Sequence, residues 1–159
     1  MGEYVMTTVT IGGPLAGPEA VEALIAAAAA YFAEADTLVR EALAEGGSVV
    51  FEDEQDFGLT PRLDAFCRAH GLSYQRAWIA RAGVFEAGLR HWRPGLASPV
   101  AEAADEGGEP MMSLAALRNC QDAGQTLTTV LARLDEAVST AVPPLTLVEA
   151  TGAARQAAA

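Results

Sequence analysis

The sequence predicts a single α+β domain: a mixed four- to five-stranded sheet with helices packed on at least one face. Three observations carry that expectation. Short runs with apolar residues at alternate positions, such as Met6 to Gly12 (MTTVTIG) and Ser73 to Ala80 (SYQRAWIA), have the two-residue period of a strand. Other stretches repeat their apolar residues at helical spacing and are bounded by capping residues, prolines and glycines. No internal repeat or linker divides the chain, and 159 residues is the usual size of one domain. Residues 1–150 are therefore taken as that domain, and 151–159 as a flexible C-terminal tail.

In order, Val9 and Ile11 alternate with threonines in a first strand expected to end at Gly12-Gly13. Pro14 to Gly17 reads as a turn, and Pro18 suits the first position of a helix. Val21, Leu24, Ile25, Ala28, Phe32, Leu38, Val39 and Leu43 then follow helical spacing, in one long helix or in two with Asp36 capping the second. Gly46-Gly47 closes the stretch. Ser48 to Phe51 (SVVF) is a short strand, so the first unit is read as β–α–β with a parallel or nearby strand pair. The acidic run Glu52-Asp53-Glu54-Gln55-Asp56 is read as a solvated loop at that strand's end, with Asp53 and Asp56 as candidates for a site there.

Thr60-Pro61 opens the next helix, and Gly71 closes it with Leu72 folding back on Cys67 or Phe66. Ser73 to Ala80 and Val84 to Trp92 are expected as a hairpin around Arg81-Ala82-Gly83. Ala97 to Gly108 lacks an apolar pattern and reads as an exposed loop, with a short strand at Pro110-Met111-Met112. Ser113 caps a helix with Leu114, Leu117 and Cys120 turned inward. Thr126 starts another, with Leu127, Val130, Leu131, Leu134 and Val138 as its buried stripe. Pro143-Pro144 stops it, and Leu145 to Val148 is a final edge strand.

Charge singles out one segment. The chain carries −11 and no lysine, yet Thr60 to Arg93 holds six arginines against Asp64 and Glu86, a local charge of +4. Both tryptophans and both histidines lie in it. Alternation puts Tyr74, Arg76 and Trp78 on one face of the first strand, and Arg90 and Trp92 on one face of the second. Together with His91 these are the candidate binding residues. Arginine beside tryptophan is the composition of interface hot spots. Two arrangements fit: a face offered outward for contact, or aromatics covered by helices with the arginines reaching out to solvent.

Several function classes are disfavoured. A charge of −11 argues against a nucleic-acid partner, since phosphate contacts need a basic surface. The longest apolar run, Ala23 to Ala33, is too short to span a bilayer. Two cysteines and no signal-like N-terminus lead to the expectation of a cytoplasmic protein with reduced thiols. Phosphate-loop, dinucleotide, zinc-protease and nucleophile-elbow motifs do not occur. Cys67 and His70 share a helix face but have no orienting third group, and a buried thiol with a histidine at the helix C-terminus accounts for both.

No catalytic residue, cofactor or metal is expected. The functional expectation is a non-enzymatic accessory or inhibitory protein that binds a protein partner or a second copy of itself, its acidic surface meeting a basic partner. The alternative is an anionic-ligand-binding protein or enzyme that uses Arg76, Arg90 and His91 with Asp53 and Asp56.

Overall fold

The computed structural model describes residues 2–149. In chain order the elements are β1 (Tyr4–Ala16), α1 (Pro18–Ala29), α2 (Ala35–Glu45), β2 (Val49–Asp56), α3 (Pro61–His70), β3 (Ser73–Trp78), β4 (Gly88–Trp92), β5 (Val100–Ala104), β6 (Pro110–Met111), α4 (Leu114–Asp122), α5 (Leu127–Ala137) and β7 (Leu145–Val148). A 3-10 turn, Ser139–Ala141, joins the last two. The α+β class holds, in one domain, with seven strands rather than four or five. The expected tail at 151–159 lies outside the described residues.

The strand order is β2-β1-β3-β4-β5-β6, antiparallel throughout, and β7 adds to β1 in parallel. β1 is the axis of this sheet. Val5, Thr7, Val9 and Ile11 alternate inward along it, and β2 pairs with it from Tyr4↔Asp56 to Ile11↔Val49. β1 does not stop at Gly12-Gly13 as expected. It runs on to Ala16, and β7 takes it up from Gly13↔Leu145 where β2 leaves off. Gly12 allows this, because a Cβ there would stand 1.6 Å from the carbonyl oxygen of Pro143.

Of the expected parallel or nearby pair, β1 and β2 are neighbours, but they run antiparallel. The cause is the number of helices between them. One helix returns the chain to start a parallel strand, whereas the pair α1 and α2 reverses it twice. Val49 to Asp56 is one strand, so the acidic run is not a loop but the outer half of β2, on the sheet's edge.

Two further expectations change. Ala97 to Gly108 is not a free loop: Val100–Ala104 forms β5 against β4, and its small Ala104 packs with Ala77, Leu89 and Ala137. Alanine fills that space without leaving a strong apolar signal. The second strand of the hairpin begins at Gly88 rather than Val84, and the chain between turns back through an isolated Arg81↔Phe85 bridge. Gly88 faces Trp78 in the register, and a Cβ on it would come within 2.8 Å of the indole. Regular pairing starts only where the indole has room.

Helices cover both sheet faces. α1, α2 and α3 lie on the face bearing Val9, Ile11, Phe51 and Tyr74, and their Val21, Leu24, Val39, Leu63 and Cys67 complete the main core. Phe32 stacks on Phe51 with ring centroids 5.1 Å apart. The helix at Thr60-Pro61 starts and stops where expected, at Gly71 in the left-handed conformation, with the Leu72 N–H donating to the Cys67 carbonyl at 2.9 Å. α5 lies on the opposite face.

Because the Gly12 approach is backbone to backbone, no side-chain rotation relieves it. Gly12→Ala is expected to unseat β7 and cost about 3 kcal/mol or more, read as a fall in the urea midpoint with the slope unchanged.

Candidate functional site

The candidate binding residues divide as the alternation required, but the face they share is not presented outward. Register places Tyr74 opposite Trp92 and Arg76 opposite Arg90, and Trp78 follows on the same side. This is the helix-covered face. Tyr74 is 1% exposed, Arg76 2% and Trp92 9%; Trp78 is half-buried, and only Arg90 is exposed. Of the two arrangements that fit the sequence, the one found has the aromatics covered by helices, with Arg90 reaching out to solvent. Aromatic area drives the ribbon inward, and the one guanidinium it carries into the core, that of Arg76, is neutralised there.

That neutralisation has a defined geometry. The Arg76 guanidinium donates from Nε and Nη2 to Oδ2 of Asp64 at 3.3 and 3.1 Å, and from Nη1 to the Gly58 carbonyl at 2.5 Å. Asp64 sits in the first turn of α3, where its Oδ1 accepts from the Thr60 hydroxyl at 2.8 Å. The arginine's Cζ lies 5.3 Å from the Trp78 ring centroid. Trp78 donates its indole N–H to the Glu86 carbonyl at 3.1 Å, and Trp92 donates to Leu96 at 2.9 Å. Burial, with Asp64 nearby, pushes the Tyr74 phenol up to about 12, so it stays protonated. The arrangement holds α3 to β3.

A charge left alone in this setting is expensive. Asp64→Ala is expected to destabilise the protein by about 3–5 kcal/mol. Arg76→Met combined with Asp64→Leu should recover most of that loss, as read from denaturant midpoints of the single and double variants.

His91 points the other way. It pairs with Gln75 on the face under α5, is 4% exposed, and its Nε2 has no hydrogen-bond partner among the described residues. A cavity of about 20 Å³ adjoins it, lined in part by Ser73, Gln75 and Glu136. Burial lowers its pKa, outweighing the opposing pull of Glu136 and Glu102. Below the ordinary histidine value of about 6.5, the unfolded chain binds a proton that the folded one refuses. Stability is then complete above that value and is lost as pH falls through it. The melting temperature is expected to drop between pH 7.5 and 5.5, and to drop less in His91→Gln.

The residues of the ligand-binding alternative do not converge. Arg76 and Arg90 are on one face and His91 on the other, while Asp53 lies two strands away on β2. Asp56 accepts the Glu3 backbone N–H at 3.0 Å, and Asp53 accepts that of Glu54 at 2.8 Å. Among the described residues no three His, Cys, Asp or Glu side chains are grouped to hold a metal ion. Cys67 is fully buried and its thiol is pushed well up by desolvation and Asp64, which is the reverse of nucleophile activation. His70 stacks on Phe66 at 4.0 Å with Nδ1 3.0 Å from that residue's carbonyl oxygen.

One exposed apolar surface consists of residues the sequence pattern assigned to the core. Ser113 caps α4 by accepting the Ala116 N–H at 3.1 Å, and Thr126 caps α5 by accepting that of Thr129 at 3.2 Å. Gly124, at φ +80°, makes the turn between them. α5 docks on the sheet through Val130 and Ala137, through Gln75 donating to the Ala137 carbonyl at 3.2 Å, and through the Arg133–Glu102 ion pair at 2.7 Å. Arg93 and Glu136 form a second ion pair. α4 buries no residue at all.

Leu114, Leu117, Leu127 and Leu131 are consequently 63, 39, 64 and 50% exposed, which corrects the expected inward stripes. The small residues Ala77, Ala104 and Ala137 let α5 lie close to the sheet, with Val130 and Ala137 downward and Leu127 and Leu131 turned aside. Between the two helices runs a groove of about 340 Å³, with Leu117, Cys120, Leu127 and Val130 among its lining. Among the described residues Arg118 is the one charged residue lining it.

Comparison with protein-family models, with curated proteins and with solved structures finds no match for this chain.

Proposed function

We propose that this chain is a non-enzymatic protein-binding module that docks through the α4–α5 hairpin. One observation carries the reading: four leucines stand exposed on adjoining helices, whereas α1, α2 and α3 leave no large apolar side chain exposed. A helix with an apolar stripe reaches its free-energy minimum only when that stripe is covered. The groove's dimensions and lining suit helical side chains laid into it. Among the described residues no carboxylate or histidine lines it, so these supply no such general base. Contact here is apolar at the centre, and the chain's acidic residues lie outside it.

The test replaces both rim leucines that open the helices. Leu114 and Leu127 are each the first residue of their helix, where an acidic side chain is tolerated by the helix dipole. Leu114→Asp/Leu127→Asp is expected to keep its melting temperature within a few degrees and to lose partner binding at least tenfold. Immobilised wild type and variant are compared for what each retains, including added copies of the chain. Identical retention by both would remove the reading.

A further inference from the structure

We infer that the seating of α5 on the sheet is proton-dependent: as pH falls through the histidine range, α5 lifts while the side covered by α1, α2 and α3 stays folded. The inference goes beyond the docking reading and does not depend on what the hairpin binds.

The division of the interior is the first argument. The main core joins α1, α2 and α3 to the sheet through residues such as Leu24, Phe32, Val39, Phe51 and Leu63. The cluster that α5 completes is separate from it and, among the described residues, consists of Ala77, Leu89, Ala104 and Ala137. Three alanines and one leucine bury little apolar area, so this side opens at a lower cost than the other. α5 is eleven residues long, too short to keep its helix once it leaves the sheet.

His91 is the second. Its ring is 4% exposed beneath α5, and Nε2 has no hydrogen-bond partner among the described residues. Protonation makes both ring nitrogens donors and adds a positive charge. The charged groups around the ring are already engaged. Glu136 of α5 pairs with Arg93, whose own charge opposes a further cation. Glu102 of β5 pairs with Arg133 of α5 through both carboxylate oxygens. From β3, Ser73 and Gln75 are neutral, and the Gln75 amide nitrogen donates to the Gly108 and Ala137 carbonyls. The turn Ser139–Ala141 carries no charge. An imidazolium therefore gains hydration only when α5 lifts, and the proton is bound by the open form.

The chain has two histidines, and His70 lies exposed on α3, away from α5. Hydrogen exchange of the purified chain at pH 7.5 and 5.5, corrected for the intrinsic rate, separates the two sides. Opening linked to one proton on an imidazole of ordinary value, about 6.5, rises about tenfold between these pH values. Protection of the α5 amides is expected to fall by that factor, with those of α1 and α3 unchanged. His70→Gln should behave as wild type, and His91→Gln should show no fall. Equal loss across α1, α3 and α5 in wild type would overturn the inference, as would an α5 that keeps its protection at pH 5.5. A fall that persists in His91→Gln would overturn it too. The wild-type contrast between the two sides decides the matter even where His91→Gln folds poorly.

Discussion

A buried guanidinium sets the terms for this fold. Arg76 occupies the inner face of β3, next to the sheet's central strand, at a depth where an unpaired charge is untenable. Its neutralisation requires a carboxylate at one place above the sheet, which Asp64 supplies from the first turn of α3. The Thr60 hydroxyl and the Gly58 carbonyl complete the set, so the segment from the end of β2 to the start of β3 is tied down at both ends. Gly58, at φ +63°, also passes close over Trp78, where a Cβ would come within 2.8 Å. Charge, turn and indole packing are parts of a single constraint.

That constraint explains which parts of the molecule could be read from the sequence. Local signals were reliable: Thr60-Pro61 and Gly71 bound α3, Gly46 closes α2, and the capping residues Ser113 and Thr126 begin α4 and α5. The two-residue period also sorted Tyr74, Arg76, Trp78, Arg90 and Trp92 onto one face. What alternation cannot supply is the identity of the layer above each face. Whether a cationic, aromatic face meets water or helices depends on Asp64, twelve residues before Arg76 and on another element.

The exposed leucines of α4 and α5 were hidden for a related reason. Helical spacing marks Leu114, Leu117, Leu127 and Leu131 as apolar stripes, and an isolated chain offers no means of telling a stripe that meets its own sheet from one that meets another molecule. The distinction lies in the footprint. α5 reaches the sheet through Ala137 against Ala77, Leu89 and Ala104, and α4 buries no residue. The molecule thus has one finished face, where three helices close the core, and one partly finished face, where a hairpin carries more apolar surface than the sheet can cover.

β2 gives this incompleteness its direction. As an outermost strand it has backbone donors and acceptors free to recruit a foreign strand, the usual route to fibrils. Glu52, Asp53, Glu54 and Asp56 occupy that rim, and a neighbouring chain approaching it would set carboxylate against carboxylate. The run that reads as a solvated loop in one dimension acts as a gatekeeper in three. It denies ribbon-to-ribbon growth along that edge, so an exposed strand stays an end of the sheet rather than a start for the next one.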